Sequence, residues 1–86
     1  MADPRLESAQ QTLQHLLPER KLEGLELAKV SMDFYTESVD AEYTWSGKKV
    51  RLRLTMERIT ELQEGRLFAA KRLREQLHKV FDVPLD

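Results

Sequence analysis

The sequence predicts a two-layer α+β fold in the order α-β-β-β-α: a three-stranded antiparallel meander covered on one face by an N-terminal helix and a long C-terminal helix. Three observations predict it. Apolar residues recur at spacings of three and four near the start of the chain. They alternate in three successive runs through the middle. The helical spacing then returns from residue 57 to residue 81. With 86 residues, the chain is expected to form one small domain spanning 1–86.

The first helix is expected over residues 4–17. Asp3 suits the N-cap, and Pro4 suits the first helical position, where a missing N–H goes unmissed. Leu6, Ala9, Leu13 and Leu16 or Leu17 form one stripe. Pro18 stops the helix, because the residue before a proline avoids helical geometry. Residues 18–29 are ambiguous between a short helical turn and a loop. Leu25 and Leu27 begin an alternation whose phase shifts near Ala28, so either a β-bulge lies there or the strand starts there.

The three alternating runs are Val30/Met32/Phe34, Val39/Ala41/Tyr43/Trp45 and Val50/Leu52/Leu54/Met56. A two-residue Gly47-Lys48 loop, with glycine first as in a type II′ turn, joins the last two. That register faces Trp45 with Val50, Tyr43 with Leu52, Ala41 with Leu54 and Val39 with Met56. It faces Glu42 with Arg53 and Thr44 with Arg51 on the other side. The earlier turn, around Glu37-Ser38, faces Phe34 with Ala41, Met32 with Tyr43 and Val30 with Trp45. One face of the meander is then apolar and the other polar.

The last helix is expected from Thr55 or Met56 to Phe81, where Phe81-Asp82-Val83-Pro84 ends it. Glu57, Glu61 and Glu64 lie toward its positive end, and Arg72, Arg74 and Lys79 toward its negative end. Ile59, Leu62, Ala69, Leu73, Leu77 and Val80 mark its stripe. Unbroken, such a helix is about 38 Å long, whereas a seven-residue strand reaches about 24 Å. Either the helix breaks at Gly65 and folds back, or Leu73, Leu77, Val80 and Phe81 overhang the sheet and pack on another molecule. The second alternative, a homodimer or partner interface, is the expectation.

Composition narrows the function. Hydrophobic residues at 41% and charged residues at 34% suit a globular chain rather than a disordered one. There is no cysteine, hence no disulfide, thiol nucleophile or Cys-ligated metal. The longest apolar run, Leu67-Phe68-Ala69-Ala70, falls far short of the ~18 residues that suggest a membrane span. MADPRLESAQQ contains no apolar signal segment, so a soluble cytoplasmic domain is expected.

Catalytic and metal constellations are sparse. His15 falls on the wet side of the first helix and His78 flanks Leu77, neither at a metal-ligand spacing nor beside a nucleophile, so both are read as exposed. Gly24, Gly47 and Gly65 write no phosphate-cradling loop. Asp33 and Glu42 are expected opposite each other beside Arg53, where two carboxylates could share a proton or a cation. A solvated Glu42–Arg53 pair explains them more simply. The Glu57/Glu61/Glu64 row offers oxygen ligands for a hard metal, and helix-dipole complementarity accounts for it equally. No enzyme activity, cofactor or small-molecule substrate is expected.

Charge is distributed unevenly. Residues 1–43 carry a formal balance of −5 and residues 44–86 one of +4. Lys48, Lys49, Arg51 and Arg53 mark the third strand, and Lys71, Arg72, Arg74 and Lys79 the last helix. These are the candidate phosphate contacts of a nucleic-acid binder. Against that, Lys71–Glu75 and Glu75–Lys79 are ready-made i,i+4 pairs, and charges on an edge strand discourage sheet-to-sheet association.

Two partial resemblances bear on this choice. KKVRLRLTMERITELQEGRLFAAKRLREQLHKVF, residues 48–81, resembles the strand-helix-helix unit of ribbon-helix-helix DNA-binding proteins. That resemblance implies groove contacts from Arg51, Arg53 and Thr55. It covers about 40% of the chain. The stretch from the strand to Gly65 is about one turn shorter than in that family. The α-β-β-β-α order resembles double-stranded RNA-binding domains, but Met56-Glu57-Arg58 stands where those domains carry lysines. The primary expectation is a small non-catalytic protein-interaction module, an adaptor or regulator acting as a homodimer. The alternative is a nucleic-acid-binding protein.

Overall fold

A computed structural model describes residues 4–17 and 21–84. The elements are α1 (Pro4–His15), β1 (Glu26–Asp33), β2 (Ser38–Trp45), β3 (Lys48–Thr55), α2 (Met56–Gln63) and α3 (Leu67–Val80). The strands form one antiparallel sheet in the order β1-β2-β3. This is the expected α+β class, with one change: the C-terminal helix is two helices. Asp3 and Pro18, the expected start and stop of the first helix, lie outside the described residues. α1 ends at His15 and tightens into i→i−3 bonds, from Leu16 N–H to the Leu13 carbonyl (3.3 Å) and from Leu17 N–H to that of Gln14 (3.2 Å).

Alternation put the right side chains on the buried face. Val39, Ala41, Tyr43, Leu52 and Leu54 are buried, and Val30, Met32, Trp45 and Val50 pack against them. The registers differ from the expected ones by even steps. Across β2–β3, Tyr43 faces Val50, Ala41 faces Leu52 and Val39 faces Leu54. The loop is Ser46-Gly47, with φ of +50° and +78°. Positive φ at both central residues is what a type I′ turn demands, and its twist matches the strands. This register also sets Glu42 against Arg51 and Asp40 against Arg53, two opposite-charge pairs where the expected register gave one. Met56, expected opposite Val39, instead opens α2.

Across β1–β2, Val30 faces Ala41 and Met32 faces Val39. The loop spans residues 34–37. The Asp33 carboxylate Oδ1 accepts from the backbone N–H of Tyr35 (2.9 Å) and of Thr36 (3.4 Å), fixing the turn. Phe34 therefore leaves the sheet and is 54% exposed. The pairing shifts between Leu27 and Lys29, so Ala28 marks a bulge within a strand. The ambiguous stretch before it supplies Leu22 and Leu25 to the core. The Trp45 indole N–H donates to the Glu23 carbonyl (2.9 Å), tying that stretch to the sheet.

α2 starts at Thr55, whose hydroxyl accepts from the Arg58 N–H at 3.1 Å. It stops at Gly65, φ +74°. The Gly65 N–H donates to the Leu62 carbonyl and the Arg66 N–H to that of Glu61, both at 3.1 Å. That paired pattern is a Schellman cap, and it turns the chain back. Glu64 is thus a C-cap residue, so only Glu57 lies in the first turn of α2. α3 ends in the same pattern, with Asp82 at φ +56° and the Val83 N–H donating to the His78 carbonyl (2.9 Å). A Cβ added at Gly65 meets nothing within 4 Å, so substitution costs backbone strain alone. Gly65→Ala should lower stability by about 1–2 kcal/mol in urea denaturation.

The fold-back resolves the length mismatch. Leu73, Leu77 and Phe81, expected at a dimer or partner interface, are buried in the chain's own core. The Phe81 ring meets Trp45 edge-on at 5.7 Å. Of the four expected interface residues, Val80 alone stays exposed, at 41%. A long helix would have left the stripe bare; a broken one seats it over the sheet.

Candidate functional site

Each expected site has a definite position. On the open sheet face, Lys49 pairs with Glu42 at 3.3 Å, Arg51 reaches the same carboxylate at 3.9 Å, and Arg53 grips Asp40 at 3.0 Å. The Asp40 hydrogen bond and charge hold the Arg53 guanidinium firmly protonated, pushed above its ordinary value. Glu42 faces Lys29 on the β1 side, and Asp33 faces Ser38, so the expected Asp33–Glu42 carboxylate pair does not form. Lys48 is exposed at the hairpin end.

Lys71, Arg72, Arg74 and Lys79 are exposed on α3. The buried side of α3 faces the core, so these cations and those of β3 lie on opposite layers rather than in one strip. Arg72 lies over the Phe68 ring at 4.9 Å. Lys71, Arg74 and Lys79 have no ion-pair partner among the described residues, and the expected bonds to Glu75 do not form.

His15 is exposed, as expected. His78 is not: it is 2% exposed, and its Nδ1 lies 3.1 Å from the Val83 carbonyl and 3.2 Å from that of Pro84. Carbonyls only accept, so Nδ1 carries the proton there. The turn after α3 folds these carbonyls onto the ring, a burial that helical spacing alone does not reveal. Glu61 pairs with Arg58 at 3.8 Å, and Glu64 with Arg66 at 3.3 Å. No cluster of three potential metal ligands occurs among the described residues. No helix among them is long and apolar enough to cross a membrane.

The feature that sequence reasoning missed is a groove between α1 and α3, of about 400 Å³. Leu13, Leu16 and Leu17 form one wall. Leu67, Ala70, Leu73 and Leu77 form the other, with Lys71 and Arg74 on the same helix. Tyr43, fully buried, also borders it. The size falls within the range of ligand clefts, and the walls are apolar with a few polar groups, as such clefts are. Leu67, on the wall, is 86% exposed, and Phe68, on the neighbouring side of α3, is 66% exposed under the Arg72 guanidinium. The Tyr43 hydroxyl is buried and has no hydrogen-bond partner among the described residues. Leaving a buried hydroxyl unpaired costs about 1–3 kcal/mol. Burial also pushes the Tyr43 phenol well above its ordinary value, because the interior disfavours the charged form. The groove exists because Gly65 brings α3 alongside α1; its only trace in the sequence is Leu67-Phe68, an apolar pair just off the buried stripe.

Comparisons with protein-family models, with curated proteins and with solved structures find no match to this chain.

Proposed function

We propose that this chain is a small non-catalytic protein-interaction module, an adaptor or regulator that seats a helix of a partner protein in the groove between α1 and α3. One observation carries the reading: an apolar groove whose wall includes the exposed side chain of Leu67. Exposed apolar surface of this kind marks interaction sites. Helix-in-groove docking uses such a surface, with anchors one turn apart. A cytoplasmic location belongs to the same proposal, as does the absence of catalysis. The homodimer expected from the C-terminal stripe loses its main support, since three of its four residues are covered within the chain.

The nucleic-acid alternative finds less support. The β3 cations Lys49, Arg51 and Arg53 are already paired, and those of α3 lie on the other layer. The test is affinity capture with the wild-type chain and with Leu67→Glu, each with and without nuclease. The expected result is a protein partner that resists nuclease and is lost with Leu67→Glu. A partner lost on nuclease treatment and retained by Leu67→Glu would instead support nucleic-acid binding.

A further inference from the structure

We infer that two copies of this chain join edge to edge through β1, the 29–33 stretch of one running antiparallel to that of the other and merging two sheets into one. The inference is independent of the groove. Among the described residues β1 forms a ladder with β2 alone, so its outer edge is a row of unpaired backbone N–H and C=O groups. β1 buries none of its residues fully, whereas β2 buries Ser38, Val39, Ala41 and Tyr43. Val30 and Met32 face the core and are only partly buried.

The sequence of this edge is self-complementary. The bulge at Ala28 confines regular pairing to residues 29–33. A twofold axis at the middle of that stretch, on Ser31, pairs all five residues. Lys29 then lies opposite the second copy's Asp33, Val30 opposite its Met32, and Ser31 opposite its own counterpart. The symmetry repeats each unlike pair. Opposite charges meet on the open face and apolar side chains on the core face, both stabilising cross-strand arrangements.

The charges concerned are available. Lys29 is exposed and has no ion-pair partner among the described residues, because the Glu42 carboxylate across from it is already held by Lys49 and Arg51. Asp33 spends Oδ1 on the turn and leaves Oδ2 without a hydrogen bond among the described residues.

The other edge of the sheet is closed to the same event. Two β3 strands centred on Arg51 would set Lys49 against Arg53 and Arg51 against itself. Like charges directly opposite repel, and a row of cations is a common guard on an edge strand. A join of β1 to β3 is heterologous and would not close at two copies. A five-residue ladder makes a small interface, so the dimer belongs to concentrated solution and the dilute chain is monomeric.

The test is sedimentation of the full chain up to about 1 mM, where a monomer–dimer equilibrium is expected. Lys29→Glu sets like charges across the axis twice and should weaken association about tenfold or more. Asp33→Lys should do the same, and mixing the two variants should restore a dimer, since both pairs are then opposite in sign. Asp33→Lys also removes the turn cap, so a second measurement reads the register at exposed positions. The chain has no cysteine of its own. Residues facing each other across the axis are about 5 Å apart at Cα, within reach of a disulfide. Ser31→Cys should therefore cross-link rapidly under mild oxidation. Lys29→Cys, about 14 Å from its own counterpart, should not.

A chain that stays monomeric up to about 1 mM would overturn the inference. So would species larger than a dimer, a dimer indifferent to Lys29→Glu, or equal cross-linking at positions 29 and 31. Self-association abolished by Leu67→Glu and untouched by Lys29→Glu would move the second copy to the groove. None of the β1 results bears on the groove reading, which Leu67→Glu tests by itself.

Discussion

Phe81→Ala is expected to lower the unfolding free energy by about 3–5 kcal/mol, the range for losing a buried aromatic side chain. Phe81 is 1% exposed and contacts Trp45 edge-on. A domain of this size has about 5–15 kcal/mol in total, so the variant should sit near its unfolding threshold. The loss should not depend on protein concentration. If Phe81 instead sealed a dimer, its contribution would scale with the population of dimer, and the midpoint would rise with concentration. Urea titrations at two concentrations about tenfold apart separate the cases. Val80→Ala, on the neighbouring exposed residue, should stay within about 0.5 kcal/mol. A large Val80 effect with a small Phe81 effect would place the wrong side of α3 in the core.

Alkaline pH should unfold the chain through Tyr43. The phenol is buried, and burial raises its pKa in the folded state. Its unfolded value is about 10. Below that value both states hold the proton and stability is unaffected. Above it the unfolded chain releases the proton while the folded chain keeps it, so the folded state binds more protons and stability falls. The slope is about 1.4 kcal/mol per pH unit, continuing until the folded-state pKa is reached. Tyr43→Phe removes that slope, and at neutral pH it also removes an unpaired buried hydroxyl. It should therefore be at least as stable as the wild type at pH 7 and clearly more stable at pH 11. Urea midpoints at the two pH values test this; equal alkaline losses in both proteins would mean that Tyr43 ionises freely.

The sheet's faces were legible in the sequence because side-chain direction has period two. Its registers were not, for the same reason: sliding β3 by two residues against β2, or β1 by four, leaves every apolar residue on the same face. What chose between registers was turn geometry, Ser46 and Gly47 both at positive φ, and the extra Asp40–Arg53 pair. The break in the last helix was visible as an alternative at Gly65. Helical spacing alone does not favour that break, because the gain from closing α3 over the sheet is a tertiary quantity. Leu22 lies in a segment with no period, and Leu25 only opens an alternation that then shifts phase, although both are core. The groove was the least legible feature, since it is made by two helices about fifty residues apart in the sequence.

One consequence of the Gly65 fold-back concerns synthesis on the ribosome. Leu73, Leu77 and Phe81 close the core from the last helix, whereas the sheet they cover is complete by Thr55. A chain that ends short of α3 lacks the side chains that close this part of the core, and Trp45 lacks its contact with Phe81. Apolar surface left open in that way is what aggregation and chaperones act upon.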